Sequence, residues 1–325
     1  MKKVLSVVFL FILNFSIFSQ ANVNQQIEHA EELYSLYHFD EALQILNEVL
    51  LENPDNMYAM MDRSCVYDAL GEYEKALKDI NKVVEYNPNM LKARHIRGGI
   101  YCNIGNYDKA IEEENLVLKS VPYFESGLNV RGLAYGKSGK YEEAEKDFSS
   151  AISAAQNKAS SPEIYLLNRA YIYYFQKQYD KCLNDLELAL SYSKANPETL
   201  ALKSRVLRLQ GSYKESIEWV SKAIKCAPDY FELYYLRILN YFEENDLESA
   251  KNDLDYVESN MEESSAFHTL KALYYFLMND VKSMTDEISA GKRLEEFKSD
   301  SFLIQIVTDE IENEIRDRKI EIIEF

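Results

Sequence analysis

Residues 58–89 read YAMMDRSCVYDALGEYEKALKDINKVVEYNPN, and this stretch decides the fold because its pattern recurs along the chain. It contains a small residue, Ser64, a turn glycine, Gly71, an aromatic residue after the turn, Tyr73, and a terminal proline, Pro88. One shift of 34 residues, and then a second, aligns this pattern with Gly98, Gly105, Tyr107 and Pro122, and with Gly132, Gly139 and Tyr141. A fixed period of this length is typical of a repeat architecture.

The period divides most of the chain into eight units, with four extra residues, 159–162, after the fourth. The units are 23–56, 57–90, 91–124, 125–158, 163–196, 197–230, 231–264 and 265–298. All 6 prolines lie at unit boundaries. Because proline disrupts a helix interior but is tolerated in the first turn, this placement predicts that helices end and begin there.

Each unit resembles the tetratricopeptide repeat, a helix–turn–helix module. The resemblance extends over residues 23–298 and implies an all-α, right-handed solenoid whose first helices line a ligand groove. Residues 299–325 are expected to form a capping helix, since the last repeat would otherwise expose its stacking face. Their apolar residues recur every four positions, as one helix face requires: Leu303, Val307, Ile311 and Ile315.

A cationic residue precedes the small residue of the first helix in most units, and an anionic residue occupies a fixed place on the second helix. We interpret these residues as ion pairs within each unit. The predicted pairs are Arg63–Asp79, Arg97–Glu113, Arg131–Asp147, Arg169–Asp185, Arg237–Asp253 and Lys271–Glu287. The sixth unit differs, because Trp219 occupies the anionic place opposite Lys203. The alternative function, a row of unpaired arginines for a phosphorylated ligand, requires the cations to be free.

Residues 1–21 have the composition of a secretory signal peptide. Two lysines follow Met1, residues 4–18 are mostly apolar, and small residues favour cleavage after Ala21. The apolar run is shorter than the roughly 20 residues that span a bilayer, so we expect no stable membrane anchor after cleavage. These features predict an exported protein, either periplasmic or extracellular.

Charge and cysteine content narrow the function further. The net charge of −18 would repel a phosphate backbone, which disfavours nucleic acid as a partner. Of the 4 cysteines, only Cys65 and Cys102 approach disulfide distance on the repeat pattern, and most of a helical turn separates them. Free thiols are therefore favoured over a bridge.

The sequence contains no HExxH, CxxC, P-loop or GxSxG motif, so we predict no enzymatic activity, no cofactor and no metal site.

The predicted partner is a protein or an extended peptide, bound by first-helix residues that point away from the second helices. In the middle units these residues combine hydrogen-bond donors with aromatic rings: Lys92, Asn103, Lys137, Asn168, Tyr171, Phe175 and Arg205. An acidic set precedes them: Asn24, Glu28, Glu31, Tyr58, Asp62 and Cys65. A leucine set follows them: Leu236, Leu239, Leu270, Leu273 and Leu277.

The leading interpretation is an adaptor or scaffold that binds its partner through this groove. One alternative is an architectural subunit of an envelope complex that assembles through its ends or its convex face. Another is an accessory subunit of an enzyme. The leucine set also has an alternative role, in which it contacts the C-terminal segment of the chain itself.

Overall fold

The computed structural model describes residues 22–261 and 264–291, and every regular element within these ranges is an α-helix. In the described residues the helices are α1 (22–35), α2 (Phe39–Glu52), α3 (Met57–Ala69), α4 (Tyr73–Tyr86), α5 (Leu91–Asn103), α6 (Tyr107–Ser120), α7 (Glu125–Lys137), α8 (Tyr141–Asn157), α9 (Glu163–Phe175), α10 (Tyr179–Tyr192), α11 (Pro197–Leu209), α12 (Tyr213–Cys226), α13 (Phe231–Glu243), α14 (Leu247–Asn260), α15 (Ser265–Leu277) and α16 (Val281–Gly291). The predicted signal peptide, residues 1–21, and the predicted capping helix, residues 299–325, lie outside the described residues.

Consecutive helices pack in pairs. Each odd-numbered helix from α3 onward contacts the even-numbered helix that follows it, which gives one helix pair per repeat. The chain forms two compact units, of which the first ends at Ser160 and the second begins at Ser161. This boundary lies within the four inserted residues, 159–162. The all-α solenoid predicted from the sequence is confirmed.

The turn within each repeat contains one residue in the left-handed conformation. Its φ is +72° at Gly71 and +80° at Gly105, values that glycine adopts without a steric penalty. The equivalent residues of all eight repeats have a positive φ: Tyr37, Gly71, Gly105, Gly139, Lys177, Gly211, Asn245 and Asn279. Their spacing is 34 residues, apart from one step of 38 across the insertion. The left-handed residue ends the first helix and allows the chain to reverse.

Small residues bring the two helices of a repeat close together. An ideal Cβ atom at Gly132 would lie 2.8 Å from the ring of Phe148, so this crossing excludes any larger side chain in its present packing. In the sixth repeat both small residues are serines, and Ser204 and Ser216 exchange buried hydrogen bonds of 2.9 and 2.7 Å with each other's carbonyl oxygens. These contacts fix the position of the second helix against the first.

The six predicted ion pairs are all in contact. Arg63 shows the geometry: its Nε atom donates to Asp79 at 2.6 Å and its Nη2 atom donates to the other carboxylate oxygen at 2.9 Å. The other pairs are Arg97–Glu113, Arg131–Asp147, Arg169–Asp185, Arg237–Asp253 and Lys271–Glu287. The arginines are therefore engaged within the protein, and a row of free cations for a phosphorylated ligand is not present at these positions.

The structure adds a contact between repeats that the sequence pattern did not predict. Nη1 of Arg63 donates to Asn47 of the preceding repeat at 2.7 Å, and Nη1 of Arg131 donates to Asn115 at the same distance. Each of these arginines thus joins its own second helix to the second helix before it. In the sixth repeat, Lys203 Nζ contacts Glu187 of the preceding repeat at 3.1 Å and lies 4.1 Å from the centroid of the Trp219 ring.

Candidate ligand-binding surface

The first helices α1, α3 and α5 share a polar surface, which we call the first-helix face. Nζ of Lys92 on α5 lies 3.8 Å from Glu31 on α1 and 3.9 Å from Asp62 on α3. Three successive repeats therefore contribute charged groups to one surface. Because each repeat adds one first helix, the sequence period itself places these residues side by side.

In the first compact unit, three predicted hydrogen-bond donors are exposed to solvent. Lys92, Asn103 and Lys137, all predicted groove residues, are exposed. The amide nitrogen of Asn103 donates to both carboxylate oxygens of Asp68 on α3, at 3.1 and 3.0 Å. Asn103 thus links α5 to α3 and remains accessible to a ligand.

Two carboxylates on α3, those of Asp62 and Asp68, have raised pKa values. The pKa of Asp62 is raised to about 6, chiefly by burial and in addition by the nearby charge of Glu31, while Lys92 opposes both effects. Burial also raises the pKa of Asp68. The Asp62 side chain is only 12% exposed, whereas that of Glu31 is 53% exposed. The charge of this surface therefore changes just below neutral pH.

Aromatic rings add apolar area near these charges. Tyr58 at the start of α3 is 58% exposed, and Tyr34 on α1 is 38% exposed. Partial burial raises the pKa of Tyr34, and Cys65 and Asp68 on α3 raise it further. Exposed tyrosines of this kind supply contact area together with a hydrogen-bonding group.

In the second compact unit, the predicted groove residues are less accessible. Asn168 and Phe175 are half-buried. The hydroxyl of Tyr171 donates to Glu198 at 2.9 Å, and Tyr171 is only 9% exposed. Arg205 has no exposed surface. The prediction that Tyr171 and Arg205 face a ligand therefore needs correction.

The physical reason is that this part of the unit is packed tightly around Tyr171. Its ring belongs to a core cluster that includes Leu202 and Val206 of the next first helix. Burial raises its pKa well above the ordinary value, as does the carboxylate of Glu198. Tyr171 is thus part of the packing between repeats, and its hydroxyl is satisfied internally.

The predicted leucine set is also largely internal. Leu236, Leu239, Leu270 and Leu273 are each at most 1% exposed and belong to one hydrophobic core with the tyrosines of α13 and α15. These four leucines fill the space between repeats in the second unit. They do not form an open apolar patch.

Cysteine and metal chemistry find no support in the described residues. All four cysteines are free thiols, including Cys65 and Cys102. Burial raises the pKa of Cys65 to about 12 and that of Cys102 to about 11, so neither forms a reactive thiolate near neutral pH. Within residues 22–261 and 264–291, no cluster of three or more His, Cys, Asp or Glu side chains could hold a metal ion. No helix in these ranges combines the length and hydropathy needed to cross a membrane.

One polar pair between α5 and α6 was not predicted from the sequence pattern. Glu114 on α6 has no exposed surface, and its Oε1 atom lies 2.7 Å from Nδ1 of His95 on α5. A signal was available, because the equivalent places of the neighbouring repeats are the apolar residues Ile80 and Phe148. A single acid in an otherwise apolar column indicates a buried charge.

The fold and its repeated helix pairs define a class of protein, the helical repeat proteins. The Tetratricopeptide repeat family model matches residues 58–90 and 126–158, which are the second and fourth repeats. The chain thus contains tetratricopeptide repeats. No curated protein matches its sequence.

Solved structures with the same fold include the following two, both at low sequence identity. The first, the APC/C hetero-tetramer Cut9-Hcn1, matches with a TM-score of 0.60 and 13% identity, over 84% of this chain and 52% of that chain. The present chain therefore spans about half the length of that protein. The second, PilW, described as a widely conserved type IV pilus biogenesis factor, matches with a TM-score of 0.51 and 15% identity, over 78% of this chain and 98% of that chain. These likenesses establish a common architecture.

Proposed function

We propose that this protein is a non-enzymatic tetratricopeptide-repeat adaptor or scaffold that binds a protein or an extended peptide on its first-helix face. The observation that carries this proposal is the arrangement of Lys92, Asn103 and Asp62. A cationic donor, an amide and a carboxylate lie on neighbouring first helices, and the first two are exposed.

An extended peptide suits this surface chemically. Its backbone carbonyl groups would accept hydrogen bonds from Asn103 and Lys92, and its N–H groups would donate to Glu31 and Asp62. The exposed ring of Tyr58 offers area for a side chain of the peptide. The net charge of −18 argues against nucleic acid as the ligand.

The structural neighbours support a role in assembly. Cut9-Hcn1 is a hetero-tetramer, and PilW is a biogenesis factor. Their identity to this chain is too low to transfer a partner, so the support extends only to the general task of holding other proteins.

We also propose that the protein is exported, on the strength of residues 1–21. Cell fractionation followed by N-terminal sequencing of the purified protein tests this point. A mature chain that begins at Asn22, found in the periplasm or the medium, would support export. A cytoplasmic chain that retains Met1 and Lys2 would refute it.

A second candidate function is an architectural subunit that assembles through a different surface. Three large apolar side chains near the C-terminal ends of second helices favour it: Leu51 is 82% exposed, Tyr86 is 77% exposed and Tyr123 is 71% exposed. In this case, partners would contact the ends of the second helices, and the first-helix face would play no part in binding.

Paired substitutions separate the two functions. The partner is first identified by crosslinking in the native cells, and its affinity for the purified protein is then measured. The double variant Lys92→Ala/Asn103→Ala is expected to weaken binding about tenfold or more, whereas Leu51→Ala/Tyr86→Ala should leave it unchanged. The reverse result would favour the architectural subunit.

A further inference from the structure

Glu114 is a fully buried carboxylate at a place that other repeats fill with hydrocarbon. It lies on α6, between two neighbouring repeats, and its side chain has no exposed surface. The residues at the equivalent place are Leu46, Ile80, Phe148, Leu186, Val220 and Leu254. Because a buried charge is far more costly than a buried methyl group, this acid calls for a specific explanation.

Two glycines make room for the carboxylate. An ideal Cβ atom at Gly98 on α5 would lie 2.8 Å from Oε1 of Glu114, and one at Gly127 on α7 would lie 2.8 Å from Oε2. The equivalents of Gly127 in the two preceding repeats are alanines, Ala59 and Ala93. The carboxylate therefore touches the first helices of both the third and the fourth repeat and lies at the joint between them.

The hydrogen bonding of Glu114 is incomplete. Oε1 lies 2.7 Å from Nδ1 of His95, but Oε2 is buried and has no hydrogen-bond partner among the described residues. The imidazole of His95 is itself confined, since it packs edge-on against the ring of Phe124 at 4.8 Å. With a neutral imidazole, the pair carries one buried negative charge.

The surrounding ionisable groups come from all three helices. Arg131 on α7 attracts the carboxylate, and Glu113 on α6 repels it. The charge of Glu114 also raises the pKa of Cys102 on α5. Arg131 is already bonded to Asp147. Burial is the largest effect and raises the pKa of Glu114, while the hydrogen bond from His95 and its charge lower it.

We propose that His95 and Glu114 form a pH-sensitive joint, in which uptake of one proton tightens the packing of α6 against α5 and α7. The proton adds to Oε2 of Glu114, which replaces a lone buried negative charge by a pair with no net charge. The folded joint therefore binds the proton better than the unfolded chain does, and its stability rises as the pH falls.

Hydrogen exchange of the full-length mature protein tests this proposal. Exchange is followed by mass spectrometry at pH 7.5 and at pH 5, with correction for the intrinsic pH dependence. Peptides from residues 91–137 are expected to be better protected at pH 5, by about tenfold, because the folded joint binds the proton more tightly than the unfolded chain does. In the variant Glu114→Gln this pH dependence should disappear.

The matched control is His38→Gln. His38 makes a similar pair with Glu41, at 2.8 Å, but both side chains are more than half exposed. This variant should keep the pH dependence of residues 91–137. The proposal is overturned if the wild-type protein lacks the dependence or if Glu114→Gln retains it.

A second measurement decides the matter even if Glu114→Gln fails to fold. In a chain labelled with ¹³C at the glutamate carboxyls, we expect one signal of the His95–Glu114 pair to shift at a higher pH than the signals of exposed glutamates. The substitution His95→Gln, which leaves the carboxylate in place, assigns that signal by moving its midpoint. If every carboxyl titrates within the ordinary range, the joint takes up no proton there and the proposal is wrong.

Discussion

The guanidinium of Arg63 donates two hydrogen bonds to Asp79, from Nε at 2.6 Å and from Nη2 at 2.9 Å. A third bond, from Nη1 to Asn47, extends to the preceding repeat. One side chain thus joins three helices, and the arrangement recurs at Arg131 with Asp147 and Asn115. Because the carboxylate of Asp79 is only 11% exposed, the guanidinium would lack its main partner if that carboxylate were removed.

Substitution of Asp79 is therefore expected to destabilise the first compact unit. Removal of one member of a buried ion pair costs about 3–5 kcal/mol, and partial contact with water reduces this to about 2 kcal/mol for Asp79→Ala. Urea denaturation followed by circular dichroism provides the measurement.

A surface pair of similar length provides the control. Lys82 lies 2.9 Å from Asp55, but their side chains are 56% and 87% exposed. Asp55→Ala should cost less than about 1 kcal/mol. Equal losses of unfolding free energy for Asp79→Ala and Asp55→Ala would show that burial does not increase the contribution of the Arg63–Asp79 pair to stability.

Substitution of Gly132 should reveal how closely the helices of the fourth repeat approach. The new Cβ atom in Gly132→Ala would lie 2.8 Å from the ring of Phe148, which is 1% exposed and cannot move aside. We expect a loss of about 1–3 kcal/mol, which Phe148→Leu in the same chain should partly restore. Thermal and urea unfolding measure both effects.

Gly99 offers the matched helical glycine with open space around it. No atom would lie within 4 Å of a Cβ atom there. Gly99→Ala is therefore expected to stabilise the protein by about 0.5–1 kcal/mol, because alanine loses less backbone entropy in a helix. If Gly132→Ala were equally stabilising, the crossing would be looser than described.

The charge of Asp62 should weaken the folded state above neutral pH. Its pKa is raised from 3.8 to about 6, so folding favours the protonated form. The stability that this proton provides is present in full below about pH 4 and is lost as the pH rises through about 6. Asp62→Asn is therefore expected to stabilise the protein by about 1 kcal/mol at pH 7.5, with a gain that shrinks steadily towards pH 4.

The comparison variant for Asp62 is Asp108→Asn. The Asp108 carboxylate is 88% exposed and lies 3.9 Å from Lys140, so its removal should change stability little at any pH. Urea midpoints at several pH values measure both variants. A gain for Asp62→Asn that is constant with pH would contradict the expected titration.

Local and repeated features were predictable from the sequence. The turn residue Gly71 and the pair Arg63–Asp79 each lie within one repeat, and their recurrence at the same period marks them as structural. The bond from Arg63 to Asn47 was not predicted, because it depends on how one repeat packs against the next. The sequence period shows which residues each repeat contains. It does not show which side chains of neighbouring repeats come into contact.

The candidate surface was predictable only in part. Lys92, Asn103 and Lys137 are exposed, as a groove requires, but Tyr171 and Arg205 are buried. Helix geometry gives the direction of a side chain from its own helix axis. It does not show whether large residues of the next repeat, such as Leu202, will enclose that side chain. Glu114 was not predicted to be buried, although it is a single acid in an apolar column, because the repeat pattern does not show that Gly98 and Gly127 leave room for its carboxylate.

Site-specific photocrosslinking in the native cells tests the central claim most directly. A photoreactive amino acid replaces Asn103 on the first-helix face in one variant, and Tyr86 at the end of a second helix in another. The account predicts that the Asn103 variant crosslinks to one defined protein partner and that the Tyr86 variant does not. Crosslinks to that partner from Tyr86 alone, with none from Asn103, would contradict it.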